Sequence, residues 1–368
     1  MRVFITFRGN GFVKFEDRRS IGRLDSQQMS LADQMPSFFE TLRVHHEPFE
    51  YVDERAVHDA LVARPLMYLE YLHDSLAAIA SGRIVVEQPP KQVFADPAHD
   101  HGHTNAGGDF RVMPCVVRRE SRVWKTVKIV GTNVVQRTVP DQITVGKALC
   151  IDAVENHVTH IIEACLLSSA RTGACAAIAV RQLALSRRRV MVVGAGRVGS
   201  YAAFYLSALP GVEEIIFVDL LHDRARAAAA LAAATFKSPA VFRTHDLGSP
   251  LDADVVIVAT TARAPIVAPG ALPARLVVSV GADAPLQHEL SGEWAAVADV
   301  YVDTLDGFGV GDLLDWSHQG LVQRNAVVDL LTVYRDGPRA GTRPRVFIST
   351  GSALFDNLTI SYILEGRL

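Results

Sequence analysis

A glycine-rich turn between a short apolar run and a helical pattern constrains the fold of this chain more than any other feature. The run at 188–193 is followed by Gly194-x-Gly196-x-x-Gly199, and Asp219 ends the next apolar run, 20 residues beyond Gly199. Glycines at this spacing permit a tight turn, let the backbone approach a pyrophosphate and bring helix and strand close together. An acidic residue about 20 positions further on accepts hydrogen bonds from a ribose. The combination predicts a dinucleotide-binding unit.

The cofactor that this motif predicts is NAD. A carboxylate at Asp219 suits the ribose hydroxyls and repels a 2′-phosphate, while Arg224 and Arg226 leave NADP open as the alternative. Further cofactor-binding candidates in the turn and after a later apolar run are Arg197, Val198 and Thr260.

Apolar runs alternate with helical patterns around this motif. The runs lie at 214–218, 254–259, 276–280 and 299–302, and an alanine-rich helix is predicted at 224–236. Such alternation is typical of βαβ units that build a parallel sheet. We therefore predict an α/β fold with a Rossmann-type, doubly wound parallel sheet over residues 186–325.

The first half of the chain has a different pattern. Leucines near a 3.6-residue period predict one helix over 54–82. Strand-like segments and a further helix follow at 83–86, 110–113, 123–130 and 168–185. A strand and helix at 345–363 are expected to return to this first domain. The prediction is a second α+β domain of residues 1–185 together with 326–368, and residues 1–50 are assigned no function.

Composition excludes several classes of protein. Of 368 residues, Lys and Arg total 37 and Asp and Glu 40, a formal charge of −3, so no basic field favours nucleic acid or an anionic membrane. The four cysteines form no C-x-x-C pair, which is typical of reduced thiols. No apolar run reaches the length of a membrane span, and the start lacks the apolar core of a signal peptide. We expect a soluble, cytoplasmic protein with a small-molecule substrate.

Lys125 is the first candidate for substrate chemistry. In the segment 123–130 alternate residues share a face, so Lys125 lies beside Val123, Val127 and Ile129. A lysine on an apolar face is costly unless an anion meets it, although its end can also reach solvent at a sheet edge. Lys128, on the opposite face, is expected to be solvated.

Arg171 lies in a run of small residues, which predicts close packing. With Ser168 or Ser169 as the N-cap, the guanidinium falls in the first turn of a helix, where the dipole also favours an anion. Arginine binds a carboxylate with two parallel hydrogen bonds. The sequence thus indicates a carboxylate site at Arg171, with a structural ion pair as the alternative.

Asp283 follows a predicted parallel strand directly. The carboxyl ends of such strands border the ligand crevice of open α/β sheets, so Asp283 is a candidate general base beside the nicotinamide. A turn aspartate is the alternative. His288 and Glu289 are expected on a helix surface.

One histidine pattern is not taken as a metal site. His99, His101 and His103 alternate in a loop rich in Gly, Asp and Asn, and no fixed fourth ligand accompanies them. No metal is therefore expected.

From about residue 65 to the C-terminus, the chain resembles the ornithine cyclodeaminase/μ-crystallin family. The motifs are Met113-Pro114, the lysine strand ending in Asn133, Arg171-Thr172, the nucleotide unit, the segment around Asp283, and Ser349-Thr350-Gly351 with Asp356.

The resemblance implies a fold and roles for these residues. The Rossmann unit is inserted in a dimerising substrate domain, Lys125 and Arg171 hold a substrate carboxylate, and Asp283 is the base. Thr172 and Asp356 are placed at the cofactor, and a homodimer is expected.

Two departures from the family pattern concern charge. Lys91 follows Gln88-Pro89-Pro90 where the family carries arginine, and Arg111 replaces the glutamate that receives the distal ammonium of ornithine. A pocket with Arg111 repels a cationic side chain and favours an extra carboxylate. These features resemble the branch that oxidises N-(2-amino-2-carboxyethyl)-L-glutamate on the route to 2,3-diaminopropionate for siderophores and peptide antibiotics.

The first functional hypothesis is an opine-type NAD-dependent dehydrogenase. Hydride leaves the substrate Cα for NAD, Asp283 activates water, and the imine is hydrolysed to a 2-oxo acid and an amine. Lys91, Lys125, Arg111 and Arg171 neutralise the carboxylates. The alternatives are a cyclodeaminase, which converts ornithine or lysine without net NADH and releases ammonia, and a ligand-binding protein similar to μ-crystallin.

Overall fold

The computed structural model describes residues 4–8, 12–16, 42, 47–95, 109–132, 144–246, 252–270, 274–284 and 287–366. Internal contacts divide the chain into two units, residues 1–48 and 49–368. In the first unit, strands β1 (Phe4–Arg8) and β2 (Phe12–Glu16) form an antiparallel pair.

The first sheet of the second unit is mixed. Its strands are β3 (Glu50–Val52), β4 (Val85–Glu87), β5 (Gln92–Ala95), β6 (Asp109–Arg118), β7 (Val123–Thr132), β8 (Thr144–Ile151) and β9 (Val158–Glu163). They run in the order β3-β9-β8-β7-β6-β4, with β5 also paired to β6. The β3–β9 pair is parallel and the other pairs are antiparallel. The long β6–β8 ladder forms one wall of the site described below.

Two helices precede this sheet where the sequence predicts one. They are α1 (Glu54–Val62) and α2 (Pro65–Ala80). Pro65 is the first residue of α2. A proline has no N–H to donate, so a helix tolerates it only in the first turn, and a new helix begins here. The single helix predicted over 54–82 is therefore wrong at this proline.

The second sheet is parallel throughout. Its strands are β10 (Arg189–Val193), β11 (Glu214–Val218), β12 (Val241–Thr244), β13 (Val255–Val258), β14 (Leu276–Ser279), β15 (Asp299–Val302), β16 (Val328–Asp329) and β17 (Arg345–Ile348). Their order is β12-β11-β10-β13-β14-β17-β15-β16. The order reverses between β10 and β13, as in a doubly wound Rossmann sheet, and this confirms the predicted fold class.

The strand near the C-terminus does not return to the first domain as predicted. β17 pairs with β14 on one side and β15 on the other, inside the parallel sheet. All four β17 residues are buried, because both faces of this strand are covered. The predicted domain boundaries themselves stay a prediction.

Helices pack on both sheets. The remaining α-helices are α3 (Cys165–Leu183), α4 (Arg197–Ser207), α5 (His222–Thr235), α6 (Glu293–Val297), α7 (Gly311–His318), α8 (Leu330–Asp336) and α9 (Ala353–Glu365), with 3-10 turns at Leu305–Gly309 and Arg324–Ala326. α3 packs against α4 so closely that a Cβ on Gly173 would lie 2.6 Å from the Ala202 nitrogen. α9 packs on β6 and β7 and against α2 and α3, so the C-terminal helix, unlike β17, does join the first sheet.

Within the described ranges, no helix is both long and apolar enough to span a membrane.

Candidate active site

A cavity of about 740 Å³ opens at the carboxyl ends of β10, β13 and β14. Its other wall comes from β6, β7 and the first half of α3. The crevice where the strand order reverses is the usual ligand site of a doubly wound sheet. The lining divides into a nucleotide half around Gly196 and Asp219 and a catalytic half around Asp283.

The glycine turn has the geometry that the motif predicts. Gly194 has φ +98°, and a Cβ there would lie 2.3 Å from the Ala259 oxygen. A Cβ on Gly199 would lie 1.9 Å from the Gly194 oxygen, so this position needs glycine for helix–strand packing. Gly196 caps α4, and among the described residues outside its own chain neighbours no atom lies within 4 Å of its Cβ position. Gly196 therefore leaves open space at a helix N-terminus, where a pyrophosphate fits.

Asp219 is held at the end of β11 by backbone amides. Its Oδ2 accepts from the Ala195 nitrogen and its Oδ1 from the Leu221 nitrogen, both at 2.8 Å. Arg224 Nη1 lies 3.9 Å from Asp219, whereas Arg226 pairs with Asp223. The fixed carboxylate and the glycine turn together fit the ribose and pyrophosphate of a dinucleotide.

The other predicted cofactor residues line the cavity, with one exception. Thr172, Arg197, Val198 and Thr260 are part of its wall. Arg197 Nη1 donates to the Cys165 sulfur at 2.9 Å. Asp356 is not part of the wall, because it lies behind two cationic side chains.

Those two cations are Lys128 and Arg171. Lys128 Nζ lies 2.8 Å and Arg171 Nε 3.0 Å from the same oxygen, Asp356 Oδ1. All three side chains are buried. Burial lowers the pKa of Lys128 to about 8, although Asp356 favours its charged form. Two cations share one carboxylate here, so the pair presents a net positive charge to the cavity.

The structure does not bring Lys125 to this site. Its Nζ donates to the Ala153 oxygen at 2.7 Å and to Asn156 Oδ1 at 2.6 Å, outside the cavity wall. Along β7 the residues Trp124, Thr126, Lys128 and Val130 are buried and the alternate ones are not. The prediction chose the wrong face of β7. Both faces of this strand carry apolar residues, and it is the face with Lys128 that packs inward.

The N-terminus of α3 also differs from the prediction. The helix begins at Cys165, so Ser168 and Ser169 are not N-caps and Arg171 falls in the second turn. The first amides, Cys165 N and Leu166 N, donate to the Glu54 carboxylate at 3.0 and 3.1 Å. Glu54 thus accepts the hydrogen bonds of amides that have no partner within the helix, and Arg171 is positioned by packing and by Asp356.

Arg111 joins β6 to the turn after β14. Its Nε and Nη2 donate to Asp109 Oδ2 at 3.1 and 2.8 Å, and its Nη1 donates to Asp283 Oδ2 at 2.8 Å. Asp109 is itself fixed by Thr132, whose hydroxyl donates at 2.6 Å. The side chains of Arg111 and Asp109 are 4% and 7% exposed, whereas that of Asp283 is 35% exposed.

The charges around Asp283 set its basicity. Burial favours the protonated carboxyl, but the positive charges of Arg111 and Lys91 outweigh it, so the pKa of Asp283 lies below its usual range. Arg171 acts in the same direction. In this arrangement Asp283 is ionised and a weak base.

Lys91 completes the catalytic half. Its Nζ donates to the Thr350 oxygen at 2.6 Å, and burial lowers its pKa, an effect that Asp283 partly offsets. Gln88, three residues earlier, accepts from Leu354 N at 2.8 Å, which ties the segment to the start of α9.

Glu289 is a structural residue that the sequence analysis missed. Instead of lying on a surface, it is fully buried and accepts from Thr260 N at 2.6 Å and Gly281 N at 2.9 Å. The hydroxyls of Thr260 and Ser279 donate to it as well, at 2.9 and 2.6 Å. Glu289 therefore joins the loops after β13 and β14. Polar neighbours at 260, 279 and 281 carry no local sequence signal, since they meet only in the folded sheet.

A second buried carboxylate lies beside it. Asp312 accepts from the Glu289 nitrogen at 3.1 Å and from Leu290 N at 3.3 Å. Burial raises the pKa of Asp312 to about 7, and the neighbouring Glu289 adds to the effect. His288 is 3.6 Å from this carboxylate.

The histidines at 99, 101 and 103 and the loop at 133–143, with Asn133, lie outside the described residues.

Known proteins resemble this chain over more than half of its length. A model of the ornithine cyclodeaminase/mu-crystallin family matches residues 56–365. The Δ1-pyrroline-2-carboxylate/Δ1-piperideine-2-carboxylate reductase of Azospirillum brasilense is 27% identical over 307 residues, which cover 81% of this chain and 89% of that protein. The Δ1-pyrroline-2-carboxylate reductase of Bacillus thuringiensis subsp. konkukian is 25% identical over 213 residues, 56% of this chain. That match spans 66% of the Bacillus protein, just under two thirds.

Solved structures share the fold. The Thermococcus litoralis Δ1-pyrroline-2-carboxylate reductase, in complex with NADH and L-proline, superimposes with a TM-score of 0.73 at 18% identity. The superposition covers 86% of this chain and 97% of that chain. At this identity the likeness establishes the architecture alone.

Proposed function

Since the chain belongs to the ornithine cyclodeaminase/mu-crystallin family, we propose that it is an NAD-dependent oxidoreductase acting on the carbon–nitrogen bond of an amino acid. The names of its relatives, reductases of cyclic imino acids, support the reaction class. The open space at Gly196 and the fixed carboxylate of Asp219 support the cofactor. NAD is preferred because Arg224 is 3.9 Å from Asp219 and exposed, so a 2′-phosphate would meet the carboxylate first.

We further propose an anionic substrate of the opine type, an amino acid with an N-carboxyalkyl group. The observation that carries this is the charge on the catalytic half of the cavity wall. Its four cations are Lys91, Arg111, Lys128 and Arg171, and Asp283 is the one carboxylate among the described residues that line that half. Asp109 and Asp356 lie behind this wall and offset two of these charges. The positive charge that remains favours a ligand with carboxylates over one with a cationic side chain.

Each residue then has a defined part. Lys128 and Arg171, which share Asp356, bind the carboxylate on the reacting carbon, and Arg111 and Lys91 receive a more distant one. Asp283 lies between these groups at the end of β14 and accepts the proton of the substrate ammonium. After it has released this proton to solvent, Asp283 takes a proton from the water that attacks the imine and returns it to the departing nitrogen.

The overall reaction balances. NAD, when bound, supplies the acceptor for the hydride that leaves the substrate Cα. A secondary ammonium loses one proton to Asp283, the resulting imine adds water, and its C–N bond breaks. The products are a 2-oxo acid, a primary ammonium, NADH and one released proton.

A second candidate is the reduction of a cyclic 2-imino acid. It is favoured by the Azospirillum relative, whose match covers 81% of this chain. A cyclic imino acid has a single carboxylate, so it would use Lys128 and Arg171 and leave Arg111 to its present partners. The buried Arg111 therefore weighs against this candidate.

A product-resolved assay tests these functions. The protein is mixed with NAD and N-(2-amino-2-carboxyethyl)-L-glutamate, with L-ornithine in parallel, and with NADH and Δ1-pyrroline-2-carboxylate. We expect NADH and 2-oxoglutarate from the first mixture. Proline from pyrroline carboxylate alone would support the second candidate, and proline from ornithine without net NADH would reveal a cyclodeaminase. Tight binding without turnover in any mixture would indicate a binding protein.

We also propose that the chain forms a homodimer through the mixed sheet. One face of β6, β7 and β8 is only partly covered. Its apolar residues are Val112, Pro114, Val116, Val127, Ile129 and Leu149, and Lys125 and Lys147 lie on the same face. Strand register places Pro114, Val127 and Leu149 in one row. A contiguous apolar face of this kind is typical of a protein interface, and the first domain would then bind substrate and also dimerise.

A further inference from the structure

We propose that Arg111 holds Asp283 in an unreactive state, and that a substrate carboxylate remote from the reacting carbon releases Asp283 by replacing it on the guanidinium. The inference rests on the proposed function and adds a rule: the base becomes available only when a substrate with a second carboxylate is bound.

The geometry makes Arg111 the fixed partner and Asp283 the movable one. Nε and Nη2 of Arg111 are both held by Asp109, and Asp109 is anchored to Thr132. Only Nη1 is directed at Asp283. The side chain of Asp283 is 35% exposed to the cavity against 4% for Arg111. An incoming anion therefore reaches Nη1 without disturbing the Asp109 pair.

The exchange would make Asp283 a stronger base. In the present state Asp283 faces Arg111, Lys91 and Arg171, and these cations keep it ionised and weakly basic. A substrate carboxylate on Arg111 and Lys91 would neutralise two of the three. Asp283 would then lose its hydrogen bond from Nη1 and the effect of two neighbouring positive charges, and both changes favour the protonated form. Each unit by which its pKa rises makes proton acceptance roughly tenfold more favourable.

The exchange also explains how a cationic cavity accepts a substrate that is itself an ammonium. While Asp283 is bound to Arg111, its negative charge is shared with the guanidinium. Once the distal carboxylate occupies Arg111, the charge of Asp283 is free for the ammonium. A substrate without that carboxylate binds an enzyme whose base stays paired, so its turnover is slow.

Proton uptake measures the release directly, without turnover. We would titrate the protein in NAD with 2-oxoglutarate and with 2-oxopentanoate, which has the same length and no distal carboxylate. Calorimetry at pH 5.5 in two buffers of different ionisation enthalpy gives the protons taken up per ligand. We expect uptake with 2-oxoglutarate, much less with 2-oxopentanoate, and loss of the difference in Asp283→Asn. Binding of 2-oxoglutarate without uptake, or no binding, would overturn the proposal.

Kinetics give an independent readout. Replacing Arg111 alone would leave Asp109 buried and unpaired, so the variant is the double substitution Asp109→Asn/Arg111→Gln. We expect its kcat/KM to fall for the substrate with the distal carboxylate and to rise for the analogue whose glutamate part is replaced by 2-aminobutyrate. An equal fall for both would mean that Arg111 only positions Asp283. Absence of NADH from wild type with either substrate would count against the proposed function, whereas the uptake experiment would still decide the release.

Discussion

Asp356 illustrates how a single buried carboxylate sets the charge of the site. Its single negative charge neutralises only one of its two cationic neighbours, Lys128 and Arg171. One positive charge therefore remains at the cavity wall. Removing one cation leaves the other paired, so the fold is retained while the anion site loses a charge. A carboxylate bound here would gain from both donors at low local dielectric.

Lys128→Met is therefore expected to weaken substrate binding. A hydrogen bond to a charged group contributes about 1.5–3 kcal/mol, which corresponds to a roughly ten- to hundredfold rise in KM. Lys125→Met is the matched control, since Lys125 is on the same strand with its Nζ outside the cavity wall. Steady-state kinetics of the two variants would separate them, and a larger effect from Lys125 would contradict the assignment.

At this scale the sequence identified most of the residues that meet in the cavity but not every partner. Gly196, Asp219, Arg111 and Asp283 stand at positions where a motif or strand end fixes their direction. Lys128 could not be chosen over Lys125, because apolar residues occur on both faces of β7 and alternation alone does not say which face packs inward.

At the scale of secondary-structure elements, the turn between β10 and α4 is tightly constrained. Gly199 cannot accept a Cβ without moving the Gly194 carbonyl, whereas Gly196 has open space around its Cβ position. Gly199 is therefore needed for packing, whereas Gly196 leaves room for the ligand.

We expect Gly196→Ala to fold with an unchanged melting temperature and to bind NAD at least about tenfold more weakly, because the methyl group occupies the space of the pyrophosphate. Gly199→Ala should lower the melting temperature instead. Thermal unfolding and fluorescence titration with NADH would measure both effects. Normal NADH affinity in Gly196→Ala would place the cofactor elsewhere.

The loops after β13 and β14 and the start of α7 meet at Glu289 and Asp312, and their burial predicts a pH effect on stability. The pKa of Asp312 is about 7 in the folded chain, above the usual range of an exposed aspartate. Between these values the folded state binds the extra proton, so this group stabilises the fold below about pH 4 and the contribution is lost as pH rises through 7.

Asp312→Asn keeps an oxygen for the two backbone amides and removes the titration. We expect the free energy of unfolding of the variant, relative to wild type, to rise by at least ~1 kcal/mol between pH 5 and pH 8, since one pKa unit corresponds to about 1.4 kcal/mol. Urea unfolding across this range measures it, with the exposed Glu293→Gln as control. A difference that does not change with pH would contradict the buried charge.

Element types were predictable and their ends less so. The period of the leucines in α1 and α2 continues across Pro65, and only the proline itself marks the break. The start of α3 was misplaced because its cap is Glu54, 111 residues away from Cys165, and a serine nearby is the stronger local signal.

At the scale of the whole molecule, the proposed dimer would cover the outer face of the mixed sheet. Its apolar rows explain why β7 carries apolar residues on both sides, one set packing inward and the other open to solvent in a single chain.

Val127→Glu is expected to convert a dimer, twice the 40.0 kDa of the chain, into a monomer, because it places a charge in the central row. Light scattering after size exclusion measures the mass, and Val154→Glu, at a position 84% exposed, is the control. A wild-type monomer, or a dimer unaffected by Val127→Glu, would contradict the proposed interface.

The insertion of β17 between β14 and β15 could not be predicted. Strand order within a parallel sheet depends on long-range packing, and a buried apolar strand at 345–348 carries no signal that favours one sheet over the other. The Rossmann topology was predictable because its first turn has a motif of its own.

Asp283 is the central residue of the proposed reaction, and stopped-flow absorbance of NADH with wild type and Asp283→Asn tests its role most directly. With NAD and N-(2-amino-2-carboxyethyl)-L-glutamate, we expect the variant to bind NAD as wild type does and to form NADH roughly 10²- to 10⁴-fold more slowly, the usual effect of losing a general base. NADH formation by Asp283→Asn at the wild-type rate would contradict the assignment of Asp283 as the base.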